Sequence, residues 1–199
     1  RVQHELAVAT PDHPWRGLMY RTLAQQYADA GDYDAMFEAV KHAPLEEPSA
    51  DYLDSFIDCL FHQGGHEAEA LEHANKLISM YGHTETGYIW KYRILEDDSP
   101  GEAETVMKEI QVKFPHHPWG FFAEGLLLNT ENQFEAAVKA FLHAIDLHNK
   151  YGHEQITKFD EFLVRCYSRL AFALYKLNRR QEALDWYDKS IKIEPTAEA

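Results

Sequence analysis

The stretch LNRRQEALDWYDKSIKIEP, from Leu177 to Pro195, decides how the rest of the chain is read. A polar turn at Asn178-Arg179-Arg180 is followed by Ala183, by Tyr187 four residues later, and then by Pro195. Ala183, Leu184, Tyr187 and Ile191 recur at three- and four-residue steps, the period of one helix face. Pro195 stops that helix, because proline has no N–H to donate and its ring collides with the preceding turn. Upstream, Tyr167, Leu170, Ala171 and Leu174 show the same period. Two helices joined by a short polar turn make a hairpin.

The same pattern runs back through the chain. In FEAAVKAFLHAIDL, the residues Phe134, Ala137, Val138, Phe141, Leu142 and Ile145 form one apolar helical face. Breakers such as DAGDY, HAPLEEPSAD, HQGGHE, EDDSPGE, FPHHPWG and LNTENQ separate segments of helix length. No sustained apolar/polar alternation signals a strand. The expected fold class is all-α.

The breakers also keep time. His13-Pro14-Trp15 returns at His117-Pro118-Trp119, 104 residues on, and Tyr81-Gly82-His83 returns at Tyr151-Gly152-His153, 70 residues on. Tyr33 and Phe134 each open a second helix after a turn, and Pro48 and Pro115 each close a hairpin. These spacings lie near multiples of about 34 residues, the period of one helix–turn–helix repeat family.

On these residues the chain resembles the tetratricopeptide repeat, whose signature is W-x2-L-G-x2-Y, then A-x3-F, then a closing P. The last unit carries Tyr167, Leu170, Ala171, Leu174, Ala183, Tyr187 and Pro195; the one before carries Phe121, Gly125, Leu128, Phe134, Ala137, Phe141 and Ala144. The first offers Tyr20, Leu23, Ala24, Tyr27, Tyr33, Ala43 and Pro48. Small residues at Ala24, Gly125, Ala137, Ala171 and Ala183 allow close helix approach, and aromatics at the next turn fill the gap.

The resemblance implies a single repeat domain over 1–199, a right-handed superhelix of about five hairpins. Its units fall near 14–48, 49–82, 83–116, 117–150 and 163–197. The second and third units follow the pattern less closely. Ala137 to Ala183 spans 46 residues, one period plus 12. The surplus near 149–161 is expected to lengthen the flanking helices or to bulge as a loop.

A formal charge of −14 argues against nucleic acid or an anionic membrane as partner, since both call for a basic footprint. The twelve histidines would nearly neutralise it on full protonation. No apolar run is long enough to span a bilayer, so membrane insertion is not expected. The start at RVQHELAVATPDHPW, without Met or a signal core, suggests a trimmed or excised segment. Cys59 and Cys166, far apart and without C-x-x-C spacing, read as free buried thiols in a reducing, cytoplasmic compartment.

Catalytic signatures are absent: there is no G-x-S-x-G, no phosphate-binding glycine loop and no H-E-x-x-H. Asp58, Cys59, His62 and His66 make the nearest metal-like cluster. Gly64 and Gly65 break the helix between the two histidines, so ligation is not expected there. His116 and His117 read as a solvated turn between hairpins. Ser49, Asp51 and Ser99 read as N-caps beside LEEP and EDDSP.

In this architecture the first helix of each hairpin lines a concave face that holds ligands. That places Tyr88, Tyr92, Trp119, Phe122, Leu126, Arg165, Arg169, Phe172 and Tyr175 in an aromatic, partly basic stretch of groove. Arg21, Gln25, Asp51, Asp54 and Asp58 would line its acidic end. One subclass of the family grips a partner's C-terminal carboxylate through basic and Asn residues in successive first helices. Here Arg21/Gln25 and Arg165/Arg169 are four units apart with Ser55, Ile89 and Ala123 between, so that specificity is not implied.

The expected function is a non-enzymatic protein-interaction scaffold, without cofactor, that binds a peptide or partner segment. The alternatives are the repeat module of a larger enzyme, such as a glycosyltransferase, or a self-assembling repeat protein.

Overall fold

The apolar runs fold as helices in the computed structural model, which describes residues 16–30, 32–42, 49–151 and 159–193. They are α1 (Arg16–Asp29), α2 (Tyr33–Lys41), α3 (Ala50–Gln63), α4 (Glu67–Tyr81) and α5 (Thr86–Leu95). Then come α6 (Pro100–Lys113), α7 (Trp119–Thr130), α8 (Phe134–Tyr151), α9 (Phe159–Lys176) and α10 (Arg180–Ile193). No strand occurs among the described residues, and the class is all-α as expected. Ala43, Pro48, Pro195 and most of the surplus near 149–161 lie outside the described residues.

Local chemistry sets the helix ends. Asp32 caps α2 by accepting from the Ala35 backbone N at 3.1 Å, and Ser49 caps α3 by accepting from Tyr52 N at 3.2 Å. Ser99 takes the cap position of α6 without a side-chain bond; its carbonyl accepts from the N–H groups of Glu102 and Ala103. Asp51 is not a cap. It lies in the first turn of α3, where a carboxylate suits the positive end of the helix.

Two hairpins turn in the same way. Asn132 (φ 61°) and Asn178 (φ 62°) both adopt the left-handed region, which a short polar side chain tolerates. The residue after each donates its N–H five positions back: Gln133 to Leu128 at 2.8 Å, Arg179 to Leu174 at 3.0 Å.

The chain divides into two compact units, Arg1–Asp98 and Ser99–Ala199. In the first, successive helices pack together and α3 also touches α1 and α5. Its core is Leu53, Ile57, Leu60, Ala70, Ala74 and Leu77, all essentially without solvent contact. Gly87 brings α5 against α4 closely enough that a Cβ there would lie 2.8 Å from Ile78 Cγ1.

In the second unit successive helices again pack together, and α7 also touches α9. Phe122, Phe141, Ile110, Leu170 and Leu174 fill its interior. The small residues Ala137, Ala171 and Ala183 are buried at the helix contacts. Helices α8 and α9, which flank the surplus residues, each run 18 residues.

Candidate functional site

In the first unit the acidic residues expected to line a groove are largely engaged with neighbours. Asp54 on α3 accepts from Trp90 Nε1 on α5 at 2.5 Å. The Arg93 guanidinium lies over Trp90 at 4.5 Å and over Phe61 at 4.7 Å from the ring centroids. Trp90 is thus held at its edge by a carboxylate and on its face by a cation, an arrangement that favours the ring quadrupole. The sequence reading missed this cluster, although the Trp90–Arg93 spacing of three residues puts both on one helix face.

Asp58 is buried and meets His62 Nε2 at 3.2 Å, while His66 turns to Glu69 at 3.6 Å. Among the described residues no three His, Cys, Asp or Glu side chains converge as a metal site would require. Cys59 is a buried free thiol, pushed up to about 11 by burial and by the carboxylates of Asp58 and Asp34. His62 and His66 border an open hollow of ≈ 570 Å³, where Gln63 Nε2 donates to Asp34 at 3.0 Å. On α1, Gln25 accepts from Ser55 Oγ at 3.3 Å. Arg21 lies beside Tyr52, whose burial raises its hydroxyl to about 12 despite that cation. Asp51 is exposed.

Four residues expected to line the groove are core residues instead. Tyr88 and Tyr92, on α5, are 3% and 6% exposed; Trp119 and Phe122, on α7, are 8% and 0%. Phe122 packs against Trp119, Phe141 and Phe162 with ring centroids 5.2, 5.9 and 5.5 Å away. The start of α9 covers this side of α7, and the aromatic surface is used in that contact.

What α9 leaves open is a stripe along its own length. Arg165, Arg169, Phe172 and Lys176 follow one another at four, three and four residues, on one helix face. Arg165 is half-buried, its guanidinium over Trp119 at 5.3 Å and Phe122 at 5.4 Å. Arg169 is exposed, and among the described residues it makes no ion pair. The side chains of Asp160 and Glu161 lie outside the described residues. Phe172 and Tyr175 are 38% and 58% exposed, with Lys176 Nζ over the Phe172 ring at 5.3 Å. Leu126 on α7 is half-buried.

The second unit also holds a buried imidazole pair. His117 was expected in a solvated turn, yet it is 4% exposed, whereas His116 is exposed. His117 Nδ1 accepts from the Trp119 backbone N at 3.4 Å. Burial, and then the neighbouring His148, push it down to about 4. His148 is fully buried and stacks on Phe162 at 5.3 Å. Cys166 is a buried free thiol whose Sγ contacts the Phe141 carbonyl at 3.7 Å, and burial raises its pKa.

Residues 164–197, from within α9 to just past the end of α10, match the tetratricopeptide repeat family. No characterised protein matches the chain by sequence. Several solved structures match it by fold. MamA from Desulfovibrio magneticus RS-1 is similar over 92% of this chain and 97% of its own, at 16% identity and a TM-score of 0.61. A thermophilic TPR protein of Thermus thermophilus is similar over 91% and 93%, at 22% identity and 0.65. The APC/C hetero-tetramer Cut9–Hcn1 is similar over 97% of this chain but 36% of the matched one, at 12% identity and 0.75. Among the described residues no helix is long and apolar enough to cross a membrane. The protein has the all-α fold of the tetratricopeptide-repeat family, and its last hairpin is itself a tetratricopeptide repeat.

Proposed function

We propose that the chain is a non-enzymatic scaffold for protein–protein interaction, and that the α9 stripe takes an acidic segment of a partner protein. The observation that carries this reading is the single face shared by Arg165, Arg169, Phe172 and Lys176, with Arg169 and Phe172 exposed. Arg165, braced on two aromatic rings, is preset rather than floppy, so less side-chain entropy is lost on binding. A ligand carboxylate would gain charge-assisted hydrogen bonds from Arg169, while Phe172, Tyr175 and Leu126 offer apolar contact. The chain's overall negative charge does not forbid this, because charges beyond about 10 Å are screened at ordinary salt. Cut9–Hcn1, described as a hetero-tetramer, is a similar fold within a protein assembly. Free buried thiols at Cys59 and Cys166 suit a reducing, cytoplasmic setting.

Binding of a fluorescein-labelled peptide of alternating Glu and Phe tests the reading. It should bind, and the same peptide with Lys for Glu should not. Arg169→Glu should weaken binding by about 1.5–3 kcal/mol while leaving the melting curve in place. Equal affinity for the acidic and basic peptides, or an unchanged affinity in Arg169→Glu, would overturn it.

A further inference from the structure

The last helix carries an exposed apolar stripe whose counterpart on α8 is buried. Leu184, Tyr187 and Ile191 on α10 are 58%, 36% and 63% exposed. The residues 46 positions earlier, at the same places in the preceding hairpin, are Val138, Phe141 and Ile145 on α8. Those three are 6%, 0% and 6% exposed, on a helix that packs against both α7 and α9. The two hairpins share the same Asn turn, so the comparison is position for position. The α10 stripe therefore has the composition and spacing of a helix-binding face.

We propose that this face binds a second copy of the same chain, α10 against α10, in an antiparallel pair about a two-fold axis. The argument for that occupant is self-complementarity. Leu184, Tyr187 and Ile191 follow the four- and three-residue spacing of a helix-pairing seam. With Tyr187 of one copy level with Ile191 of the other, each Ile191 enters the hole between the other copy's Leu184 and Tyr187. In that register Asp188 of each copy lies beside Lys192 of the other, giving two symmetric ion pairs at the rim. Ala183 and Ser190, on the flank of α10 beside the stripe, are already buried within the chain, and the stripe is the exposed apolar side of the helix.

Stable interfaces bury at least about 1,200 Å² in total. One pair of 14-residue helices falls short of that, so the dimer is weak and forms only with rising concentration. It also leaves the α9 stripe unused, and it stands or falls independently of the peptide-binding reading.

Sedimentation velocity on the full chain, from low micromolar to near-millimolar concentration, tests it. Expected is a monomer–dimer equilibrium that Ile191→Asp abolishes and Lys192→Asp weakens at least tenfold. The double reversal Asp188→Lys with Lys192→Asp should bring dimerisation back towards the starting affinity, since it exchanges both ends of each ion pair. Those positions are exposed, and a circular dichroism melt checks that each variant folds. A chain monomeric at every concentration, or dimerisation untouched by Ile191→Asp, would overturn the proposal. So would a double reversal that stays as weak as Lys192→Asp.

Discussion

Gly125 and Phe141 cannot both carry a full side chain: a Cβ on Gly125 would stand 2.5 Å from Cε1 and 2.7 Å from Cδ1 of the Phe141 ring. The phenyl is fully buried, wedged between α7 and α8, and it reaches the α7 backbone because that position is bare.

Gly125→Ala should therefore destabilise the second unit, even though alanine favours a helix by about 1 kcal/mol over glycine. The clash outweighs that preference, and a net loss of roughly 1–3 kcal/mol is expected. Chemical denaturation gives the value. Adding Phe141→Leu should recover part of it; equal losses with and without that change would mean the ring is not the obstacle.

Trp90 and Asp54 should be energetically coupled. Trp90→Phe removes the indole donor and leaves the half-buried Asp54 carboxylate without it, costing about 2–4 kcal/mol with the lost ring volume. In a double-mutant cycle with Asp54→Ala the coupling should be about 1–2 kcal/mol. Strict additivity would show that the bond contributes nothing.

Acid should weaken the second unit through His117. Its folded pKa, about 4, lies below the unfolded value of 6.5, so the unfolded chain binds the extra proton first. The stabilisation is complete above pH 6.5 and is lost as pH falls towards 4, by up to about 3 kcal/mol. Protonated, His117 can no longer accept from Trp119 N, and its positive charge is buried beside the His148 ring. His117→Asn keeps an acceptor without the titration and should flatten the pH profile between 6.5 and 4. A slope as steep as that of the parent would place the acid sensitivity elsewhere.

Deletion from Arg180 onward should cause aggregation. Leu170, Ala171 and Leu174 on α9 are buried, and α10 packs on that helix. A truncated chain that stays soluble with an unaltered melting curve would show that α9 needs no cover.

Helix periods and hairpin timing were legible because they depend on neighbours in sequence. Ala183, Tyr187 and the Asn178 turn announce the last hairpin, and Gly125, Ala137 and Phe141 announce the one before. Which aromatics remain exposed was not legible, because that depends on which non-successive helices touch. Period alone puts Trp119, Phe122, Phe172 and Tyr175 on inward faces of α7 and α9. Phe162, at the start of α9, then closes over the first two and leaves the last two open. His117 was misread for the same reason: a His-Pro sequence reads as a turn, and its burial beside His148 of α8 depends on a helix distant in sequence. The Arg93 stack on Phe61 likewise joins α3 to α5, at a separation no local pattern reports.

Each compact unit holds one cysteine, Cys59 in the first and Cys166 in the second, and both are sealed from solvent and resistant to ionisation. A thiol reagent attacks the thiolate, so neither side chain reacts until its surroundings come apart. The two alkylation rates, separated by mass after digestion of one sample, then clock the opening of each half of the molecule under native conditions. The chain is thereby equipped with a pair of internal stopwatches, and whether its halves breathe together or in turn becomes a matter of comparing two rate constants.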